Sequence, residues 1–299
     1  MGLQRPEVRQ YCSHPLWFVN THFKDRLETI AIAGRDRVKH NKIMDLVRLR
    51  VPHWEERDGL LHGFLGRRGG KSKAPYAGLN LSFRVGDDPH VVKDNICDVK
   101  RAVGVHDLRI VTMKQVHGDR IVGVRDKQLK EAGEADGMVT EERGLFLGVL
   151  TADCVPMLFS VPGRKVVAVV HAGWRGTLNG IAVKMVRCLR YRYGVDAASL
   201  EVALGPAIGP CCYEIGADVS EPLVQNWGSV AAEHLQSKNG KEFLDLKGLN
   251  EALLVSAGVP PAKILQIGPC TGCAKDDFFS YRRDGEKTGR QMSFIGWQS

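Results

Sequence analysis

Three short blocks of the chain carry residue types that do chemistry. They are Gln115-Val116-His117-Gly118, Thr151-Ala152-Asp153-Cys154 and His171-Ala172-Gly173-Trp174-Arg175-Gly176. Each sets an imidazole or a thiol at the end of an apolar run. The pattern is sharpest between Val149 and Gly176. There Asp153 and Cys154 break the first strand-like run, and His171 ends the second. Burying such groups costs free energy unless a partner compensates. A metal ion or a catalytic pair is such a partner. Two imidazoles and one thiolate are donors that zinc prefers, and three protein ligands leave a fourth tetrahedral position for water or substrate. The gaps between the blocks are long, however, whereas metal motifs are usually recognised by short ones. Taken singly, His117 and His171 read as ordinary core or surface histidines. Cys154 alone reads as a small buried apolar residue.

Other residues are weaker candidates. Gly173 and Gly176 would let the backbone approach a ligand, and a helix starting after them would attract anions. Arg175 would then hold phosphate with its planar fork. A tight strand-to-helix turn explains the same glycines equally well. Arg67 and Arg68, beside Gly69-Gly70, are candidates for phosphate or ribose contact, and Asn80 for a sugar or base. Solvated loop residues are the default for all three. Cys211-Cys212 fits poorly as a disulfide, because adjacent cysteines rarely reach bridge geometry without strain. Cys270-Thr271-Gly272-Cys273 has metal-finger spacing, but no second pair shares it. Phe278, Phe279 and Tyr281 read as packing, with Tyr281-Arg282-Arg283 able to border a pocket.

The elements that position these blocks follow from periodicity and punctuation. A helix is expected around Lys42–Leu49. LLHGFLGRRGG reads as a strand feeding a glycine-rich turn, and residues 71–89 as a loop holding one short strand. Asp88-Pro89 opens a helix to about Val103, with Val92, Ile96 and Val99 buried. RIVTMK and RIVGV read as strands on either side of a turn at His117-Gly118. GVLTADCVPMLF and KVVAVVHAG read as two strands around the turn at Val161–Arg164. Strand alternation in the first turns Asp153 away from the face of Cys154, which leaves a supporting role open for the acid beside proton transfer. TLNGIAVKMVRCLRYRYG reads as a helix, and the C-terminal FFSYRRDGEKTGRQMSFIGW as a loop and an edge strand. Strands and helices intermix, so the expected class is α+β. Size favours one compact domain over residues 55–299, with residues 1–54 as a basic N-terminal extension.

Composition excludes several function classes. The chain has 299 residues and is 43% hydrophobic, enough for a sizeable core. Lys plus Arg is 42 against 34 Asp plus Glu, and the excess is spread along the chain. That suits an anionic small molecule or a weakly attracted polyanion, and no nucleic-acid-reading signature accompanies it. The eight cysteines are unevenly spaced and do not resemble a secreted disulfide framework. No signal peptide or bilayer-length apolar run is visible, so a cytoplasmic, reduced protein with no membrane partner is expected.

Taken in order, KQVHGDRI, ADGMVT, LGVLTADCVPMLF, VVAVVHAGWRGTLNGI, LGPAIGPCCYEIG and FFSYRRDGEKTGRQ closely resemble the laccase-domain family, also called the polyphenol oxidase or purine nucleoside phosphorylase family. HGFLGRRGG and GLNLSFRVGDD extend the resemblance from about residue 60 to the C-terminus. It implies mixed sheets with helices packed outside, and a zinc site made by His117, Cys154 and His171. It also implies phosphorolysis of adenosine, inosine and methylthioadenosine, so the partners are a nucleoside and phosphate, and deamination of adenosine. Two alternatives use the same residues. One is an amide hydrolase acting on peptidoglycan precursors, with Cys154 as nucleophile and His171 or His117 as base. The other is copper-dependent phenol oxidation. The chain has no His-x-His pair of the kind multicopper oxidases repeat, although copper at two His and one Cys is chemically reasonable.

Overall fold

The computed structural model describes residues 46–103 and 109–299. It opens with β1 (Arg48–Leu49), the single turn α1 (Pro52–Glu55) and β2 (Leu60–Leu65). The long helix α2 (Pro89–Ala102) starts as its sequence predicts: Asp88 accepts from the His90 amide, and Pro89 occupies the first turn. Next come β3 (Arg109–Lys114), β4 (Ile121–Gly123), β5 (Glu131–Glu134), β6 (Gly137–Thr140) and β7 (Leu145–Thr151). β8 (Val155–Ser160), β9 (Val167–Ala172), α3 (Trp174–Leu178), α4 (Ile181–Tyr193) and β10 (Glu201–Leu204) follow. After them stand β11 (Glu214–Ile215), α5 (Ala217–Trp227), α6 (Ser229–Ala232), β12 (Leu235–Lys238) and β13 (Lys241–Leu244). The chain ends with α7 (Leu246–Ser256), β14 (Ile264–Gln266), α8 (Tyr281–Asp284) and β15 (Gln291–Trp297).

Among the described residues the strands form two mixed six-stranded sheets and a small antiparallel one. The first sheet runs β1-β2-β15-β7-β3-β5, the second β14-β10-β8-β9-β6-β4 and the third β11-β13-β12. Alternate residues of the apolar runs face different cores, as the period of two requires. In β7, Leu145, Leu147 and Val149 join Leu158, Val167 and Val169 of the second sheet in a core between the sheets. Phe146 points the other way, with Leu79, Val99 and Phe294, toward α2. Val155, Met157 and Phe159 of β8 meet Ile181, Met185 and Leu189 of α4 and Leu249 and Leu253 of α7. The layers are therefore helix, sheet, sheet, helix. Strands buried on both faces read as unbroken apolar runs, which is why periodicity found them without separating their faces. The expected α+β class, with mixed sheets and helices outside one compact domain, is the observed one.

Several expectations need correction. Arg48–Leu49 is a strand paired with Leu65 and Phe64, not the end of a helix, and residues 42–45 lie outside the described residues. Val51 and Trp54 are fully buried, so packed structure begins before residue 55. His62 anchors this segment: as a neutral imidazole it accepts from the Val51 amide at 2.8 Å, and burial pushes its pKa down to about 3. Residues 71–89 hold an isolated bridge between Ser72 and Gly78 instead of a short strand. The expected helix through TLNG is two helices, because Gly180 turns left-handed between α3 and α4. β15 is no edge strand. It lies between β2 and β7 and all seven of its residues are buried. Finally, GVLTADCVPMLF is not one strand: it is β7 in the first sheet and β8 in the second.

Candidate metal centre

That last break makes the site. The chain crosses from the first sheet to the second after β3, after β5 and after β7, and the crossings after β3 and β7 each carry a candidate ligand. After β7, the bend Ala152–Cys154 takes it into β8, with Asp153 at a φ of 95°. After β3, the QVHG turn takes it toward β4, with His117 at a φ of 58°. Side chains pay strain in this region, so tertiary contacts must hold it. Antiparallel pairing of β8 with β9 sets Val155 opposite Ala172 and Pro156 opposite His171. Cys154 thereby meets the end of β9. The ligand atoms of His117, Cys154 and His171 all lie within 4.8 Å of one another. His117 is exposed, Cys154 half-buried and His171 buried, so the cluster opens to one side.

Asp136 organises this cluster and escaped the sequence reading. Its carboxylate, at 0% exposure, accepts from the amides of Val116 (3.2 Å), His117 (3.0 Å) and Gly118 (2.7 Å). His171 Nδ1–H donates to the same carboxylate at 2.8 Å. The ring is thus fixed with Nδ1 on the acid and Nε2 left to face Cys154. The Asp136 carbonyl also accepts from the His171 amide at 2.8 Å. One acid therefore sets both imidazoles. Burial pushes its pKa up, but the His171 contact and the Gly118 and Val116 amides outweigh that and hold it below the ordinary carboxylate value. The available signal was an acid inside the otherwise apolar ADGMVT block. Gln115 is a second missed support. Its amide donates to the Leu150 carbonyl at 2.7 Å and accepts from the Leu150 amide at 2.9 Å, extending the β3–β7 ladder by a side chain.

Burial alone would raise the Cys154 thiol, yet the charge of His171 and hydrogen bonds from both imidazoles bring its pKa well down. Burial would lower His171, and the Cys154 charge with Asp136 raises it instead. Thiolate and imidazolium stabilise each other. Gly173 seals the base of the cluster: a Cβ there would stand 3.0 Å from His117 Cδ2 and 3.1 Å from Cys154 Sγ. The glycine thus serves the site itself. α3, by contrast, is five residues long, which removes most of the dipole argument for an anion at its start.

Asp153 has a supporting place, for a different reason than strand alternation, since it is not in a strand. It accepts from Thr271 Oγ1 at 2.6 Å and from the Arg282 amide at 2.6 Å, while its carbonyl accepts from the Ile208 amide at 2.8 Å. Arg175 is exposed, with its guanidinium 4.3 Å from the Trp174 ring centre. Arg290, half-buried, lies close enough for its charge to couple to Cys154 and Asp153. Arg282 stacks 5.1 Å from the Tyr213 ring centre, and burial holds the Tyr213 hydroxyl protonated. Arg175 and Arg282 act by charge on Tyr213, which also senses Cys154, so three arginines stand in the electrostatic neighbourhood of the cluster.

The structure does not bring Arg67, Arg68 and Asn80 into the cluster. Arg67 donates to the Ala77 carbonyl at 3.0 Å and sits 4.6 Å from the Phe279 ring centre. Arg68 pairs with Asp277 at 2.5 Å. The expectation that Asn80 contacts a sugar or base is corrected. Its amide donates to the Ser82 carbonyl and Asp87, and its oxygen accepts from the Ser82 and Arg290 amides, which uses its full capacity. It thereby holds the backbone of Arg290, whose charge reaches Cys154. Phe278 and Phe279 are buried packing residues, as expected, and Tyr281 is 47% exposed. A surface concavity of 540 Å³ lined by Arg57, Arg143, Arg164 and Lys165 shares no residue with the cluster. Donor chemistry, not concavity, marks this site.

Known proteins share this arrangement of elements. Residues 61–298 match the family model described as multi-copper polyphenol oxidoreductase laccase. Purine nucleoside phosphorylase YlmD of Geobacillus stearothermophilus is 38% identical over 248 residues, spanning 80% of this chain and 90% of that protein. Adenosine deaminase RL5, from an unknown prokaryotic organism, is 35% identical over 231 residues, spanning 74% and 87%. The crystal structure of YlmD from Geobacillus stearothermophilus superposes with a TM-score of 0.79 at 36% identity, covering 84% of this chain and 96% of that one.

Proposed function

Since this chain belongs to the multi-copper polyphenol oxidoreductase laccase family, we propose that it is a zinc-dependent purine nucleoside phosphorylase acting on adenosine, inosine and methylthioadenosine. The observation that carries the reading is the His117–Cys154–His171 cluster, three converging donors with the charge of Arg290 reaching Cys154. The donor set fits zinc: two imidazoles, one thiol whose pKa its neighbours already lower, and a carboxylate behind one imidazole. Bound there, the metal supplies a Lewis acid beside the substrate.

The chain's own residues do the rest. Arg175 and Arg290 bind phosphate and hold it toward the anomeric carbon. Their charges offset the like charge of phosphate approaching a thiolate. The Tyr213 hydroxyl, kept protonated by burial, offers a hydrogen bond to the departing base. Asp136 keeps His171 oriented, and Asp153 keeps the loops around Cys154 in register. Relatives named as phosphorylases support this activity, and one named as an adenosine deaminase supports deamination at the same site.

One observation favours a second reading. Cys154, His171 and Asp136 form a thiol–imidazole–carboxylate relay, the arrangement of a cysteine hydrolase. Metal occupancy separates the two, because a metal-bound thiolate is a poor free nucleophile.

The deciding experiment is product analysis by mass spectrometry. Metal-analysed protein is incubated with adenosine, inosine and methylthioadenosine, with and without phosphate, beside Cys154→Ala. Phosphate-dependent release of base and sugar-1-phosphate, absent in the variant, is the expected result. Inosine formed from adenosine without phosphate adds deamination. No turnover by zinc-loaded protein would sink the phosphorylase reading and turn attention to amide substrates.

A further inference from the structure

Four cysteines outside this centre converge on one point. Cys211 and Cys212 follow the strand β10, and Cys270 and Cys273 follow β14, its parallel neighbour. Their sulfurs all lie within 4.8 Å of one another. Cys273 Sγ is 3.4 Å from both Cys211 Sγ and Cys212 Sγ. Four thiolates at about 2.3 Å from one zinc ion stand roughly 3.8 Å apart along the tetrahedral edges. The two separations of 3.4 Å lie a little inside that edge. They exceed a disulfide bond of about 2.05 Å.

We propose that Cys211, Cys212, Cys270 and Cys273 bind a second zinc ion, a closed structural site separate from the His117–Cys154–His171 centre.

Three further features fit this site. The Gly209 amide donates to Cys270 Sγ at 3.2 Å, a bond that stabilises a thiolate ligand. Two glycines make room: a Cβ at Gly272 would stand 3.1 Å from Cys212 Sγ, and one at Gly209 would stand 3.2 Å from Cys270 Cβ. Four thiolates around one dication leave roughly two excess negative charges, and two cations flank the loops. Arg283, itself paired with Asp284, donates to the carbonyls of Thr271 (2.9 Å) and Gly272 (3.2 Å). Lys247 donates to the carbonyls of Ile267 and Gly268 at 3.3 Å. A full set of four sulfur ligands leaves no position for substrate, so the ion is structural.

The site has work to do. It ties the loop 205–213 to the loop 267–275. From these loops Ile208 and Thr271 grip Asp153. Asp153 is the strained residue next to Cys154. The second ion thus holds the frame of the first centre from behind.

The test uses the full chain, purified under reducing conditions, and Cys154→Ala, which removes a ligand of the first centre only. Zinc is counted by elemental analysis. Alkylation of native protein, read by intact mass with and without chelator, counts shielded thiols. Cys154→Ala is expected to keep one zinc per chain and to shield four thiols until chelator is added. Cobalt in its place should give the intense visible bands of tetrahedral thiolate coordination. Cys270→Ser with Cys273→Ser should lose one equivalent; if that variant does not fold, thiol shielding in Cys154→Ala still decides. One zinc in both wild type and Cys154→Ala would support this site while removing the first. No zinc in Cys154→Ala, four thiols alkylated equally fast with and without chelator, or a mass two daltons low from a disulfide would overturn the proposal.

Discussion

Two clusters of soft ligands stand on either side of Asp153, and they are built differently. The first takes His117, Cys154 and His171 from the places where the chain leaves one sheet or ends a strand of the other. It has three donors, a buried carboxylate behind them and an open side. The second takes four cysteines from two neighbouring loops, with backbone groups and glycines around them. Its donor set is complete. The contrast teaches what openness costs. An incomplete donor set must be held by other means, here by Asp136, Gln115 and Gly173. A complete set holds itself and can steady its neighbours.

The contrast is broken hardest at Gly173. Gly173→Ala puts a methyl group about 3 Å from two ligands at once. Turnover is expected to fall by more than about 100-fold, as misplacement at a reacting centre does, with one zinc lost and the cysteine site filled. Retained activity with two equivalents would show that the first centre is looser than its packing implies.

Asp136→Asn tests the carboxylate support. Losing such a partner typically costs about 10–100-fold in metal affinity or activity. The sign with pH follows from its depressed pKa. The stabilisation is present above the ordinary carboxylate value of about 4 and lost as pH falls through the lower folded value. Acid unfolding curves should show this loss in the wild type and not in Asp136→Asn. Parallel curves would assign the stabilisation elsewhere.

Arg175→Ala probes the open side. The phosphate KM should rise roughly tenfold, as expected for one charge-assisted hydrogen bond, with the nucleoside KM within about twofold. Equal changes in both would remove Arg175 from phosphate binding.

The smallest effect on chemistry is expected at the closed site. Cys270→Ser with Cys273→Ser should lower the Tm, by about 2–4 °C for each kcal/mol lost, while kcat falls only about threefold through Asp153. A collapse of kcat at unchanged Tm would make the cysteines part of the reaction rather than its frame.

Much of the framework was legible beforehand because it follows from local rules. The Asp88-Pro89 start of α2, the apolar runs of β8 and β9 and the soft donors at strand ends depend on near neighbours or on burial. Errors fell where one residue's state depends on distant ones. The C-terminal strand looked like an edge because nothing local says that β2 and β7 flank it. Asn80 looked available to a ligand because its partners, including the Arg290 amide, come from elsewhere in the chain. The four cysteines carry no joint signal in the sequence because CC and CxxC do not repeat one spacing. Spacing matters only within a loop, and two unlike loops can still complete a tetrahedron.

By itself, the sequence determined which atoms were available: two imidazoles, a thiol, four further sulfurs, an acid in an apolar block and arginines in glycine-rich loops. Its periodicity determined that the strands would be buried. Only the tertiary structure decided which atoms meet. The chain changes sheets at Ala152–Cys154 and at the QVHG turn, and those crossings carry His117 and Cys154 to the end of β9 beside Asp136. The physical reason is that ligand geometry is set by sheet pairing between residues far apart along the chain, whereas sequence pattern reports burial and local conformation.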